Sequence, residues 1–132
     1  MLRAQGAAAS SNEQLLFVGR SINMQTADAD NALTKVFYGT NYIPTRIVAV
    51  RKTGGVTVAC AGGVYTAASK GGTAVVAASQ VYTAVTATLG FIACTIEALA
   101  AGLSAAVLYV NLTTGSTGAC TADFFVYGNV ID

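Results

Sequence analysis

The sequence has no histidine, no tryptophan and a single proline, Pro44. Without histidine there is no imidazole general base and no imidazole metal ligand. Nor is there a Ser/His or Cys/His nucleophile pair. The composition therefore speaks against catalysis, and the chain is expected not to be an enzyme. Charge is scarce too: 10% of residues are charged, against about 25% in ordinary domains. Between Thr53 and Ala122 only Lys70 and Glu97 carry a charge. So little ionic cover is expected of a surface that partners cover in part. The formal net charge of +1 provides no field to steer a nucleic acid, so no nucleic-acid partner is expected.

No CxxC pair links Cys60, Cys94 and Cys120, so a structural zinc site is not expected, nor any other metal or cofactor. Each cysteine sits among small apolar residues. Three buried thiols made in a reducing cytoplasm are expected, with one disulfide plus a free thiol as the alternative. The N-terminus has no apolar core of a secretory signal. Residues 89–110 are long enough to span a bilayer, but Glu97 would lie near its centre and no basic cluster flanks the run. Two strands with a turn near Gly102 fit this stretch better, and no membrane partner is expected.

What remains is one domain's worth of chain, 132 residues, in which hydrophobic residues make up 54%. Residues 1–34 are polar and Ala/Ser/Asn-rich around one apolar piece, Leu15-Leu16-Phe17-Val18. They read as an extended N-terminal arm. Residues 35–132 read as the folded body. There Val, Thr, Tyr, Phe and Ile recur in short runs separated by glycine-containing breaks such as Gly62-Gly63 and Gly71-Gly72. Strands are expected over 36–38, 43–51, 56–60, 74–78, 89–97, 106–112 and 122–131. The predicted fold class is all-β, an antiparallel β-sandwich or jelly-roll-like body carrying the arm. Alternation points Ile92, Cys94 and Ile96 inward, with Thr95 and Glu97 outward. It likewise points Leu108, Val110 and Leu112 inward, with Tyr109 and Asn111 outward. Asp123-Phe124-Phe125-Val126-Tyr127 is bulky on both faces, which predicts a central strand or one buried on one face by a partner. Pro44 opens the 43–51 strand, where its missing N–H costs least. Residues 79–86 fit either a helical turn or two, or a crossover loop.

Several local patterns imitate sites. Lys70 stands between Gly62-Gly63 and Gly71-Gly72, but the order is wrong for a phosphate loop. Asp28, Asp30 and Asn31 resemble the start of a calcium loop, but the required Gly and Glu are replaced by Leu33 and Gly39. Asn111-Leu112-Thr113 fits a glycosylation acceptor only in a secreted chain. Glu97 and Asp123 would need to share one cleft to act as paired carboxylates. Tyr65, Tyr82, Tyr109 and Tyr127 are either strand residues or contacts for a sugar or protein.

The run Gly62-Gly63-Val64-Tyr65-Thr66-Ala67-Ala68-Ser69-Lys70-Gly71-Gly72, followed by Gln80-Val81-Tyr82, resembles small β-rich structural proteins of tailed bacteriophages. So does Leu108-Tyr109-Val110-Asn111-Leu112-Thr113-Thr114-Gly115 followed by Thr121-Ala122-Asp123-Phe124-Phe125-Val126-Tyr127-Gly128. The family is that of head decoration, or capsid cement, proteins, and the similarity covers about residues 42–132. It implies a non-catalytic virion protein on the capsid surface, made in the host cytoplasm. Such a protein binds the major capsid protein and neighbouring copies of itself, here expected as a homotrimer. The arm, through Arg3, Leu15, Leu16, Phe17, Val18 and Arg20, is the expected capsid contact, and the body is expected to stay folded without residues 1–34. The alternative is a carbohydrate- or receptor-binding module of a phage fibre or tail. A head–tail connector or tail-tube component is a third possibility.

Overall fold

Period-2 alternation is clearest near the C-terminus, where residues 120–129 alternate inward and outward without interruption. The computed structural model describes residues 13–54, 60–86, 90–97 and 102–132. Its elements in chain order are β1 (Gln14–Asn23), β2 (Asn31–Lys35), β3 (Tyr42–Gly54), β4 (Ala61–Ala67), β5 (Gly71–Val76), α1 (Thr83–Thr86), β6 (Phe91–Cys94), β7 (Leu108–Thr114) and β8 (Cys120–Val130). All strand pairs among them are antiparallel. The fold is all-β, as the sequence predicts. The two layers expected of a sandwich are halves of one eight-stranded sheet in the order β5-β4-β7-β2-β1-β8-β3-β6. The sheet curls until its edges meet. Val76, ending β5, bridges Ile96 just beyond β6, and the Glu97 N–H donates to the Val75 carbonyl at 2.9 Å.

One apolar cluster lies inside the curl and draws on both halves, from Leu16, Phe17, Ile47 and Phe124 to Val64, Val75, Leu108 and Val110. Phe17, Phe37 and Tyr42 form an edge-to-face triad with centroids 5.3–5.9 Å apart. The Tyr42 hydroxyl donates to the Ala105 carbonyl at 2.8 Å. Tyr82, beside the single helical turn α1, fills the far side and meets the Phe124 ring at 5.9 Å.

The arm expected over residues 1–34 is corrected from Gln14 onward. β1 lies between β2 and β8, and the expected boundary at residue 34 falls inside β2. The reason is visible in the register. β1 has irregularities between Leu15 and Phe17 and between Gly19 and Ile22. The first lets the consecutive residues Leu16 and Phe17 both face the core, which destroys the two-residue period. Residues 1–12, with Arg3, lie outside the described residues. So do 55–59, most of the expected 56–60 strand, and 98–101, which include all of the turn expected near Gly102 except Gly102 itself.

Other differences have local causes. Residues 36–38 form a loop after β2 rather than a strand. Gly62-Gly63 is not a break but part of β4, near its start. A Cβ at Gly62 would meet the Leu112 Cα at 2.5 Å, and one at Gly63 the Val76 carbonyl at 2.4 Å, so the neighbouring strands come too close for any side chain. The actual turn is Ala68-Ser69-Lys70, with Ser69 and Lys70 at φ of 57° and 60°. Inward Ile92, Cys94, Ile96, Leu108, Val110 and Leu112 agree with the alternation, as do exposed Thr95 and Glu97. Asn111 does not: it is 2% exposed, covered by the β1–β2 loop.

Cys60, Cys94 and Cys120 are all free and buried. Burial pushes the Cys60 and Cys94 thiols up to about 11 and the Tyr42 hydroxyl up to about 12. The folded state thus holds its protons more tightly than the unfolded chain, whose thiols titrate near about 8.5. Stability should be complete below that pH and decline as pH rises toward 11. Thermal melts are expected to show a flat midpoint from pH 6 to 8 and a falling one above 9. A thiol reagent at pH 8 should label native protein slowly. Immediate labelling of all three thiols would contradict this burial.

Candidate functional site

The sheet has a second apolar face, pointing away from the core, across β1, β8, β3 and β6. The register aligns Val18, Phe125, Val48 and Ala93 in one row across these four strands. Beside it, Leu15, Tyr127 and Arg46 form a second row, and Asp123, Val50 and Phe91 a third. Val18, Val48, Phe125 and Tyr127 are half-buried, while Val50 and Phe91 are 37% and 55% exposed. Strand alternation produces this face directly: β8 sends Phe124 and Val126 inward and Phe125 and Tyr127 outward.

Two arginines lie over its aromatic rings. The Arg20 guanidinium stands 5.1 Å from the Phe125 centroid, and that of Arg46 stands 4.2 Å from the Tyr127 centroid. Each is held by a carboxylate. Arg20 donates to Asp123 at 3.1 Å, and Asp123 also accepts the Ser21 N–H at 2.8 Å. Ser21 has φ 53° within the second irregularity of β1. Arg46 donates to Glu13 at 3.2 Å, and the Thr45 hydroxyl donates to the other Glu13 oxygen. Burial pushes the Asp123 carboxyl up, but the Ser21 N–H, the Arg20 contact and the Lys52 charge outweigh it, so its pKa lies below the ordinary value. The Thr45 hydroxyl, aided by Arg46 and against some desolvation, likewise lowers that of Glu13. Both carboxylates stay ionised at neutral pH and fix the arginines over the rings.

The expected contact residues divide between the two sides of the sheet. Leu15, Val18 and Arg20 belong to the outer face. Leu16 and Phe17 are fully buried in the core, so they are corrected from contact residues to packing residues. Sequence reasoning missed Arg46, Val48, Val50 and Phe91. The two-sided bulk of 123–127 was the signal for such a face.

The acidic and glycine-flanked patterns meet in a shallow cleft of about 220 Å³ lined by Asp28, Ser69, Lys70 and Asn111. The Lys70 ammonium donates to Asp28 at 2.6 Å, and this bond holds its pKa above the ordinary value. The Asp30 carboxylate accepts the Ser69 N–H at 3.0 Å and the Asn111 amide at 2.9 Å. Lys70 neutralises Asp28, neutral donors satisfy Asp30, and together these bonds tie the β1–β2 loop to the β4–β5 turn and to β7. Glu97 and Asp123 are not brought together. Glu97 lies at the seam with Gln80 and Thr95, and Asp123 lies beside Arg20. Tyr65 and Tyr82 are buried, and Tyr109 and Tyr127 half-buried. No group of three or more metal-ligating side chains occurs among the described residues. No helix among them is long and apolar enough to cross a membrane.

Compared with known proteins, the chain matches no family model, no curated protein and no solved structure.

Proposed function

We propose that this chain is a non-catalytic structural protein of a tailed-phage virion that decorates the capsid. It binds the major capsid protein and neighbouring copies of itself, as a homotrimer on the outer surface of the shell. The observation that carries this reading is the second apolar face, Val18-Phe125-Val48-Ala93 with Val50 and Phe91, on a body otherwise poor in charge. The core does not use this face, so a partner gains by covering it. The mechanism is mass action: a protein that binds the assembled shell and not its parts stabilises the shell, and many copies on a lattice add avidity.

The rival reading, a sugar-binding module, draws on the aromatic character of the same face. Sugar recognition by stacking needs open ring faces, and Arg20 and Arg46 cover those of Phe125 and Tyr127. A protein partner has no such requirement. Light scattering of the purified protein should give a homotrimer, and that protein should co-sediment saturably with empty shells of the phage that encodes it. A monomer that ignores shells but binds a glycan array would replace this reading with the rival.

A further inference from the structure

We infer that the outer face of β1, β8, β3 and β6 docks on an apolar strip of the shell protein rimmed by carboxylates, with Arg20 and Arg46 as the anchors. The inference rests on the decoration reading and specifies the chemistry of its contact.

Charge on this face is layered. The Arg20 and Arg46 side chains are 63% and 51% exposed, while their partners Asp123 and Glu13 are 13% and 33% exposed. Asp123 lies beneath its arginine, and Glu13 is the less exposed partner of Arg46. Lys52 is also exposed, and its charge reaches Asp123. An approaching surface therefore meets two guanidiniums and an ammonium around an apolar centre. Carboxylates complement them and accept the guanidinium N–H groups that Asp123 and Glu13 leave open. The rings below the two arginines sit at Phe125 and Tyr127, two residues apart on one strand, or about 7 Å along it. A partner strand with acidic residues at positions i and i+2 presents carboxylates at that spacing.

The same layering argues against the other occupants. A second copy docked face to face would present the same exposed guanidiniums and offer them only the less exposed Asp123 and Glu13, which its own arginines already engage. A nucleic acid would satisfy the cations but leave the valines and Phe91 facing a phosphate backbone. This face is therefore not one through which two copies meet about a two-fold axis.

The test compares full-length wild type with two variants for co-sedimentation with empty shells over a range of NaCl. Arg20→Gln combined with Arg46→Gln removes both anchors. Phe91→Ser trims the exposed apolar edge and leaves both ion pairs intact. Thermal melts establish that each variant is folded. The double variant is expected to bind roughly a hundredfold more weakly at low salt and to lose most of the salt dependence that wild type shows. The Phe91 variant is expected to bind about tenfold more weakly with the salt dependence retained. If folded variants bind as wild type does, this inference fails and decoration stands. If wild type does not bind shells, decoration fails and this inference fails with it. A wild-type dimer that the double variant dissolves would assign the face to a second copy. Capture of a single-stranded oligonucleotide through the two arginines would assign it to nucleic acid.

Discussion

Protein lacking residues 1–35 is expected to be unfolded. The deletion removes β1 and β2, the two strands joining β7 to β8 in the sheet order. The remainder is two three-stranded pieces, β5-β4-β7 and β8-β3-β6, which still touch at the β5–β6 seam. Each piece gains a long unpaired edge, on β7 and on β8, which invites aggregation. The core loses Leu16, Phe17, Ile22, Met24 and Leu33, each at most 6% exposed. Burying one such side chain contributes about 1.5–3 kcal/mol. Five of them together match the whole stability of a typical domain, about 5–15 kcal/mol. Circular dichroism and proton NMR should show neither a cooperative melt nor dispersed amide signals. A cooperative melt with native dispersion would restore the arm and overturn the strand order. The outcome also bears on function: loss of shell binding by such a deletion would report unfolding and not a missing contact.

The strands that were legible are those whose two faces differ in the usual way. β7 and β8 alternate, and the bulky 123–127 stretch is central, flanked by β1 and β3. Legibility fails where the chain departs from simple pairing. In β1 the irregularity at Leu15–Phe17 turns two successive residues inward, so the sequence shows an apolar clump instead of a period. In β2 only Leu33 is buried, too little to mark a strand. In β4 the glycines are dictated by Leu112 and Val76 on the neighbouring strands, and partners distant in sequence cannot be read locally. Asn111 has the right parity for exposure, but a loop from 81 residues earlier covers it, through the 2.9 Å bond to Asp30. The candidate site was half legible. The outward bulk of Phe125 and Tyr127 was visible in the pattern. That Arg20 and Arg46 converge on those rings depends on β1 and β3 flanking β8, which only topology supplies.

That convergence makes the neighbours Phe17 and Val18 a sharp test of the whole arrangement. Phe17 points into the core and meets the Phe37 and Tyr42 rings at 5.9 and 5.3 Å. Val18 points the other way, opposite Phe125. Phe17→Ala is expected to cost about 3–5 kcal/mol, the transfer term plus an unfilled cavity in a tightly packed triad. Against a total of about 5–15 kcal/mol this leaves the protein marginal at best. Val18→Ser removes a half-buried side chain from the outer face and is expected to cost about 1 kcal/mol or less. Urea unfolding followed by circular dichroism measures both. The functional order is expected to be reversed at equal folded concentration. Residual folded Phe17→Ala protein should bind shells as wild type does, because its outer face is untouched. Fully folded Val18→Ser should bind more weakly. If the two variants lost stability equally, the irregularity in β1 would not separate core from surface. If Val18→Ser bound undiminished, the docking surface would lie elsewhere than on the row through Phe125.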